Sequence, residues 1–438
     1  MTTAPLDLAP LRDAVARAAP LRLRGRVTRV TGPVVEAAAA GLTLGEAVSI
    51  RTPGREPIDA EVVGLREDRA VLMPLGDPAG IGLDAEVDGR GSPLAIRAGD
   101  ALLGRILDGL GRPIDGRPLP PGLHDWAVDR PAPPPLARRR IVAPLPLGIR
   151  AVDGLATVGE GQRLGLFAGS GAGKSVLLGQ IARNARAELS VVCLVGERGR
   201  EVREFVEDAL GEEGLARSVV VAATSDAPPL VRLKAAHVAT ALAEWFAERG
   251  RRVLFLLDSL TRYARALREV GLAAGEPPAR QGYPASVFAA LPRLVERAGQ
   301  RERGSVTAIY TVLVAGGDLE EPIADEVRGL LDGHVVLDRR IAERGRFPAV
   351  DPLASLSRVM PAVASPRHVA AAARLRALVA AHERQRDLVA VGAYRRGSDP
   401  DTDAALDRLP AIEAFLAQRP DEAEPLDATL ARLEAAIA

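Results

Sequence analysis

The run GLFAGSGAGKS, Gly165 to Ser175, sets a glycine-rich turn between an apolar stretch and the helix-forming VLLGQIA. Gly169, Gly171 and Gly173 let the backbone fold inward, with Ser170 and Ala172 between them, so that N–H groups can cradle phosphate oxygens. Lys174 is long enough to reach β- and γ-phosphates, and the Ser175 hydroxyl suits a Mg²⁺ ion. Val176 lies in the first turn of the helix, whose dipole favours the same anion. Ala168 stands where the phosphate-loop pattern has glycine, and the rest of the pattern is intact. A nucleoside triphosphate, ATP, with Mg²⁺ is the predicted ligand pair.

Two other apolar runs end in acids. RVLFLLD ends at Asp258, which after a phosphate loop is expected to hold Mg²⁺ through its waters. VVCLVGERGREVREF passes from a buried strand into Glu197, Arg198, Arg200, Glu201, Arg203 and Glu204. Hydrolysis needs a carboxylate that polarises the attacking water near the γ-phosphate. Glu197, just past a strand on the edge that carries the phosphate loop, is placed for that work. Arg198 could meet phosphate oxygens, and Glu201, one helical turn on, could order the Mg²⁺ waters. Spacing alone serves equally well for a solvated helix start whose acids favour the dipole.

The elements that must hold these groups follow from texture. From residue 21 to 92, short runs such as RGRVTRV, GEAVSIRT and RAVLMPLG alternate with Gly, Pro and Asp, which predicts a small β-barrel. Residues 99–120 are dense in turn formers and read as a linking segment, and RPAPPPLARRR after it is extended. Apolar strands then alternate with amphipathic helices, the pattern of a parallel sheet covered on both faces. Beyond residue 360 strands vanish and helical periodicity takes over. The predicted architecture is α/β: a barrel over 21–92, a nucleotide-binding core over 93–360 and a helical domain over 361–438. Residues 1–20 carry Leu8, Leu11, Val15 and Ala18 at helical spacing and predict a short amphipathic segment, either packed or in contact with a partner or membrane.

Composition narrows the function class. Lys+Arg and Asp+Glu both number 57 among 438 residues, and aromatics are 3%, so neither a basic excess nor stacking rings point to nucleic acid. Cys193 is the only cysteine, which rules out a disulfide within the chain and fits a reducing compartment. The five histidines lack metal-ligand spacing. Asp7 and Asp13 interrupt the segment a signal peptide would need, and no uncharged apolar run reaches about 18 residues. The expectation is a cytoplasmic protein.

GLFAGSGAGKS, GERGREV, LDGHVVL, SLSRVMPAV and the long block from DSLTRYA through GEPP and GYP to LPRLVERAG together resemble the type III protein-export ATPases of injectisomes and flagella. These are relatives of the catalytic subunits of rotary ATP synthases. The resemblance runs from about Gly25 to the C-terminus and implies a RecA-like core in a homohexameric ring that couples ATP hydrolysis to chaperone release, unfolding and export of proteins. It implies that Glu197 is the catalytic glutamate, that Arg198 contacts the γ-phosphate and that Lys174 and Ser175 are the phosphate-loop pair. It further implies that Arg358 is an arginine finger reaching the neighbouring subunit's nucleotide, and that Phe347 packs on adenine, with Tyr394 a weaker candidate for that pocket. The partners it implies are a central stalk protein, a peripheral stator-type regulator, the export gate and chaperone–effector complexes, at the cytoplasmic face of the inner membrane. The loop Gly271–Gly282 is the candidate stalk contact. SLSRVMPAV and ADEVRGLLDGH lean towards the injectisome over the flagellum. A ring-shaped RNA helicase of the termination-factor type is the competing reading, but residues 21–91 contain no Phe, Tyr or Trp for an RNA-binding face. A catalytic subunit of a rotary synthase is a third.

Overall fold

Alternating apolar residues in short runs build the first unit. The computed structural model describes residues 24–438, so the amphipathic segment expected over 1–20 lies outside them. Six strands, β1 (Arg24–Thr31), β2 (Val34–Ala38), β3 (Ala47–Arg51), β4 (Ile58–Arg66), β5 (Arg69–Pro74) and β6 (Glu86–Gly89), form a closed antiparallel barrel in the order β1-β2-β5-β4-β3-β6. Val27, Val35, Val48, Ile50, Val62, Leu72 and Val87 fill its interior. Closure leaves none of these strands with an unpaired edge.

The second unit begins with a ribbon of β7 (Ala95–Ala98) and β9 (His124–Ala127). Between them, β8 (Arg105–Asp108) joins the edge of the large sheet beside β12 (Ser218–Thr224). A stretch expected as a linker is therefore partly strand. Only four residues pair, and the Gly and Pro around them hide the run from a reading by periodicity. The buried Arg105 holds the turn that follows, bonding Asp115 at 2.6 and 2.9 Å and the carbonyls of Arg117 and Pro118.

The sheet runs β17 (Leu356–Ser357), β16 (Gly333–Leu337), β10 (Arg163–Ala168), β15 (Ser305–Leu313), β13 (Arg252–Asp258), β11 (Leu189–Glu197), β12, β8, with β14 (Gly299–Gln300) beside β15. Only β14 and β17 pair antiparallel. The central strands are buried along nearly their whole length, as unbroken apolar runs require in a parallel sheet covered on both faces.

In chain order the helices are α1 (Arg150–Leu155), α2 (Lys174–Asn184), α3 (Gly199–Glu204), α4 (Gly211–Ala216), α5 (Pro229–Glu248), α6 (Leu260–Ala274) and α7 (Ala285–Val295). These are followed by α8 (Pro322–Leu330), α9 (Arg339–Glu343), α10 (Met360–Val363), α11 (Pro366–Ala390), α12 (Pro400–Leu416) and α13 (Leu426–Ile437). Residues Phe205–Leu210, between α3 and α4, are π-helical. Ser365 caps α11, its hydroxyl accepting from His368 N at 3.2 Å, with Pro366 in the first turn.

The C-terminal helices share one hydrophobic core with the sheet. Leu375, Leu378, Ile412, Phe415 and Leu433 pack with Leu147, Ile149, Val152 and Leu155 at α1. Arg150 crosses the same junction, donating to Phe415 O and Ala417 O and pairing with Glu424 at 2.9 Å. The chain's two tryptophans lie far apart in sequence but share a neighbour: Trp126 on β9 and Trp245 on α5 flank Arg249, whose guanidinium lies 5.8 and 3.7 Å from their ring centres. Arg130 lies over the Trp126 ring at 4.0 Å.

Candidate active site

Three parallel strands deliver the predicted groups to one edge. β10 ends in the phosphate loop, β13 in Asp258 and β11 in Glu197. Gly171 and Gly173 both adopt φ of 82°, a region where a side chain would be strained. That conformation turns the loop around Ser170 and Ala172 and starts α2 at Lys174.

Lys174 Nζ sits between two carboxylates. It contacts Asp258 Oδ1 and lies 3.6 Å from Glu197 Oε1. Asp258 Oδ1 also accepts from the Thr311 hydroxyl at 2.7 Å. Glu197 is 7% exposed, and its Oε2 accepts from Arg262 Nη2 at 3.2 Å. Its Oε1, the oxygen nearer Lys174, is buried without a hydrogen-bond partner. The glycine before it explains the approach of Arg262. At Gly196, with φ of 68°, a Cβ would come within 3.0 Å of Arg262 Cδ, so only glycine lets that side chain lie across the strand end.

Residues 168–171 and 173–176 line a cleft of 480 Å³ together with Glu197, Glu201, Arg262 and Arg265. A concave site with a cationic loop, two further arginines and two carboxylates fits a polyphosphate and the water that attacks it. Glu201, on α3, faces the same cleft. Val176 lines it while half-exposed.

Comparison with known proteins bears on what such a cleft does. Residues 148–357 match the model for the ATP synthase alpha/beta family nucleotide-binding domain, 27–91 its beta-barrel domain, and 364–435 the T3SS EscN ATPase C-terminal domain. The chain is 51% identical over 428 residues to a type 3 secretion system ATPase of Xanthomonas euvesicatoria, covering 97% of each. It is 49% identical over 411 residues to the flagellum-specific ATP synthase of Bacillus subtilis (strain 168), covering 93% of this chain and 94% of that one. It belongs to the family of type III secretion and flagellar export ATPases. A solved structure of the assembled ATPase EscN in complex with its central stalk EscO, from enteropathogenic E. coli, matches with a TM-score of 0.87 at 43% identity. That match covers 94% of this chain and all, 100%, of the other.

Other expected residues of this P-loop ATPase fall in different places. Arg198 points outward, 76% exposed, and lies 3.7 Å from Glu201 rather than in the cleft. Phe347 is half-exposed beside Ser170, Gly171, Arg339, Ala342 and Glu343, and a Cβ at Gly173 would touch its ring at 3.6 Å. Tyr394 is not brought to this pocket. Its hydroxyl donates to Asp399 O at 3.0 Å and bonds Asp403 at 2.9 Å, tying the turn before α12, and it lines none of the three cavities that meet the loop or α2. Arg358 is exposed at the end of β17, its N–H held by Asp332 O at 2.9 Å, and lines none of those cavities in its own chain.

Several neighbours of the export-ATPase site carry fainter signals in the sequence, or none. Arg262 and Arg265 were readable in DSLTRYAR, three residues apart directly behind Asp258 and so on one helical face. Thr311, one hydroxyl in a buried strand, carried no signal. Nor did residues 418–422, which brace the elements around the site: Gln418 N donates to Phe347 O at 2.8 Å, while Gln180 and Asn184 of α2 donate to Arg419 O at 2.8 Å and Glu422 O at 3.2 Å.

The site sets the proton affinity of its acid. Burial, the facing Glu201 carboxyl and the nearby Asp258 charge push Glu197 up to about 7, against the pull of Lys174 and Arg262. Glu201 is correspondingly held below the usual range by its pairing with Glu197. A base works only when ionised, so kcat/KM for ATP is expected to rise with pH across the neutral region, because free-enzyme ionisations govern that ratio. In a Glu201→Gln variant the amide donates to Glu197, and the acid limb of the pH–rate profile is expected to move to lower pH. An unmoved limb would show that another group controls it.

Proposed function

We propose that this chain is the ATP-hydrolysing motor of a type III protein secretion apparatus, working as a homohexamer that couples hydrolysis to chaperone release, unfolding and export. The observation that carries it is Glu197, buried between Lys174 and Arg262 at the phosphate-loop cleft with one oxygen lacking a hydrogen-bond partner. A chain holding this carboxylate can hydrolyse ATP as well as bind it.

Backbone N–H groups of the loop bind the phosphates, and Lys174 leaves Asp258 for the more strongly charged β- and γ-oxygens. That releases the Asp258 carboxylate. Ser175, Asp258 and Glu201 supply the oxygen donors a hard cation prefers, and the unpartnered Glu197 Oε1 fits a site built for water and Mg²⁺. When bound, Mg²⁺ neutralises charge developing on the phosphate oxygens. Glu197 accepts a hydrogen bond from the attacking water and so aligns it with the γ-phosphorus. Arg262 fixes the other carboxylate oxygen, and Phe347 offers adenine an aromatic face. Arg358, exposed and away from its own loop, is assigned to the neighbouring subunit's transition state. Arg198 is assigned to a phosphate contact that it reaches by rotating inward.

Among the described residues no helix is long and apolar enough to cross a membrane. Attachment at the cytoplasmic face of the inner membrane is assigned to partners. A central stalk in the ring's axis is the first of these, in keeping with the EscN–EscO complex. A peripheral stator-type protein, the export gate and chaperone–effector complexes complete the set. Relatives from both systems match at about 50% identity, and the motifs SLSRVMPAV and ADEVRGLLDGH carry the choice of the injectisome over the flagellum. Replacing the chromosomal copy by a Lys174→Ala allele tests this: secreted effector proteins should vanish from the medium while motility persists. Lost motility with intact effector secretion would assign the flagellum, and loss of neither would refute an export role.

A further inference from the structure

Away from the cleft, four polar side chains from three elements form a chain of contacts that hydrolysis as described does not use. Asp129 follows β9, Lys234 and His237 lie one turn apart on α5, and Tyr263 sits in the first turn of α6. His237 Nδ1 is 2.7 Å from Asp129 Oδ1, and its Nε2 is 3.0 Å from the Tyr263 hydroxyl. Lys234 Nζ is 3.0 Å from the other Asp129 oxygen. Lys234 is 3% exposed and Tyr263 1%.

Donor and acceptor roles follow from chemistry. A carboxylate only accepts, so Nδ1 carries the hydrogen towards Asp129, and Nε2 accepts from the Tyr263 O–H. The groups facing His237 are Asp129, Lys234, Tyr263 and, farther off, Arg297. Burial lowers the imidazole's proton affinity against the pull of Asp129, in keeping with the neutral ring this pattern needs. Burying an ion pair with a neutral relay adds little stability over an apolar packing of the same shape. What it does supply is one allowed orientation for the groups it joins.

The residue before Tyr263 is Arg262. Among the described residues its guanidinium has one hydrogen-bond partner, Glu197, and its Nε is buried without any. Its stem lies across Gly196 and its head has that single hydrogen bond, so its position over Glu197 also depends on how the first turn of α6 is rotated. We infer that Asp129, His237 and Tyr263 form a positioning relay that sets the rotation of α6 and thereby holds Arg262 on the catalytic glutamate. The segment after β9 thus gains a path to the active site. This rests on the reading of Glu197 as the catalytic base.

The test is steady-state ATPase activity of the full chain with melting temperatures measured alongside. Tyr263→Phe keeps the ring and removes one hydroxyl, and His237→Ala breaks the relay at its centre. Each should lower kcat about five- to ten-fold, the scale of one hydrogen bond to a positioned group, with KM nearly unchanged. The double variant should be no worse than the worse single one. His237→Gln, which keeps a donor and an acceptor, should recover much of the loss. In an Arg262→Ala background, residual turnover should not fall further when Tyr263→Phe or His237→Ala is added. Losses that multiply in that background, or unchanged kcat in both single variants, would overturn the relay. Glu197→Gln is run in parallel: if it stays active the base assignment itself fails, whereas a dead Glu197→Gln with unaffected relay variants refutes the relay alone.

Discussion

Glu197→Gln is expected to abolish ATP hydrolysis while leaving ATP binding in place. The substitution keeps the shape and the contact with Arg262 but removes the oxygen that accepts a proton from water, a loss worth about 10²–10⁴-fold for a general base. Binding should survive because the loop, Lys174 and the wall at Phe347 are untouched. It should even tighten, since a neutral amide relieves repulsion between a carboxylate and the γ-phosphate. The two halves need separate measurements: phosphate release for turnover, and the rise in melting temperature with ATP for binding. Normal turnover in this variant would remove Glu197 from the mechanism. Loss of the ATP-dependent thermal shift would mean that the substitution damages the site as a whole.

The second large effect concerns Arg358. An arginine that spreads its charge over a transferring phosphoryl group is worth about 10³–10⁵ in rate, so Arg358→Ala should be nearly as inactive as Glu197→Gln. Because Arg358 is exposed and lines no cavity at its own loop, the two defects should complement in mixed rings. A subunit with intact Glu197 beside one with intact Arg358 rebuilds a working site at their shared boundary. Mixtures of the two inactive variants should therefore regain part of the wild-type rate, with a maximum near equal ratios. No recovery at any ratio would place Arg358 outside the neighbouring site.

Legibility of this molecule followed the range of the interactions involved. The loop at 168–175, Asp258 and Glu197 were readable because each stands at the carboxyl end of an apolar run, and a parallel sheet gathers such ends on one edge. The barrel was readable from the rhythm of its turns. β8 was not, since four residues inside a Gly- and Pro-rich stretch gain their place in the sheet from β12, far along the chain. The joint core of α1 and the C-terminal helices was hidden for a related reason. α1 has six residues, and its first, Arg150, is a buried charge whose partners lie more than two hundred residues on. Tyr394 is a different case: nothing in VGAYRRGSDP shows that its hydroxyl is tied to Asp399 and Asp403. Arg262 fell between these cases, visible by spacing but given meaning only by the glycine at 196 that lets it reach across.

The paired tryptophans have a practical meaning. Trp126 and Trp245 are the only two indoles in the chain, and both lie against Arg249, one on β9 and one on α5. These are the elements that lead into Asp129 and carry His237. Native fluorescence is therefore a local optical gauge of how the segment after β9 rides on α5, with no label required. A nucleotide-dependent change in emission would report movement at that seam and leave the barrel and the C-terminal helices silent.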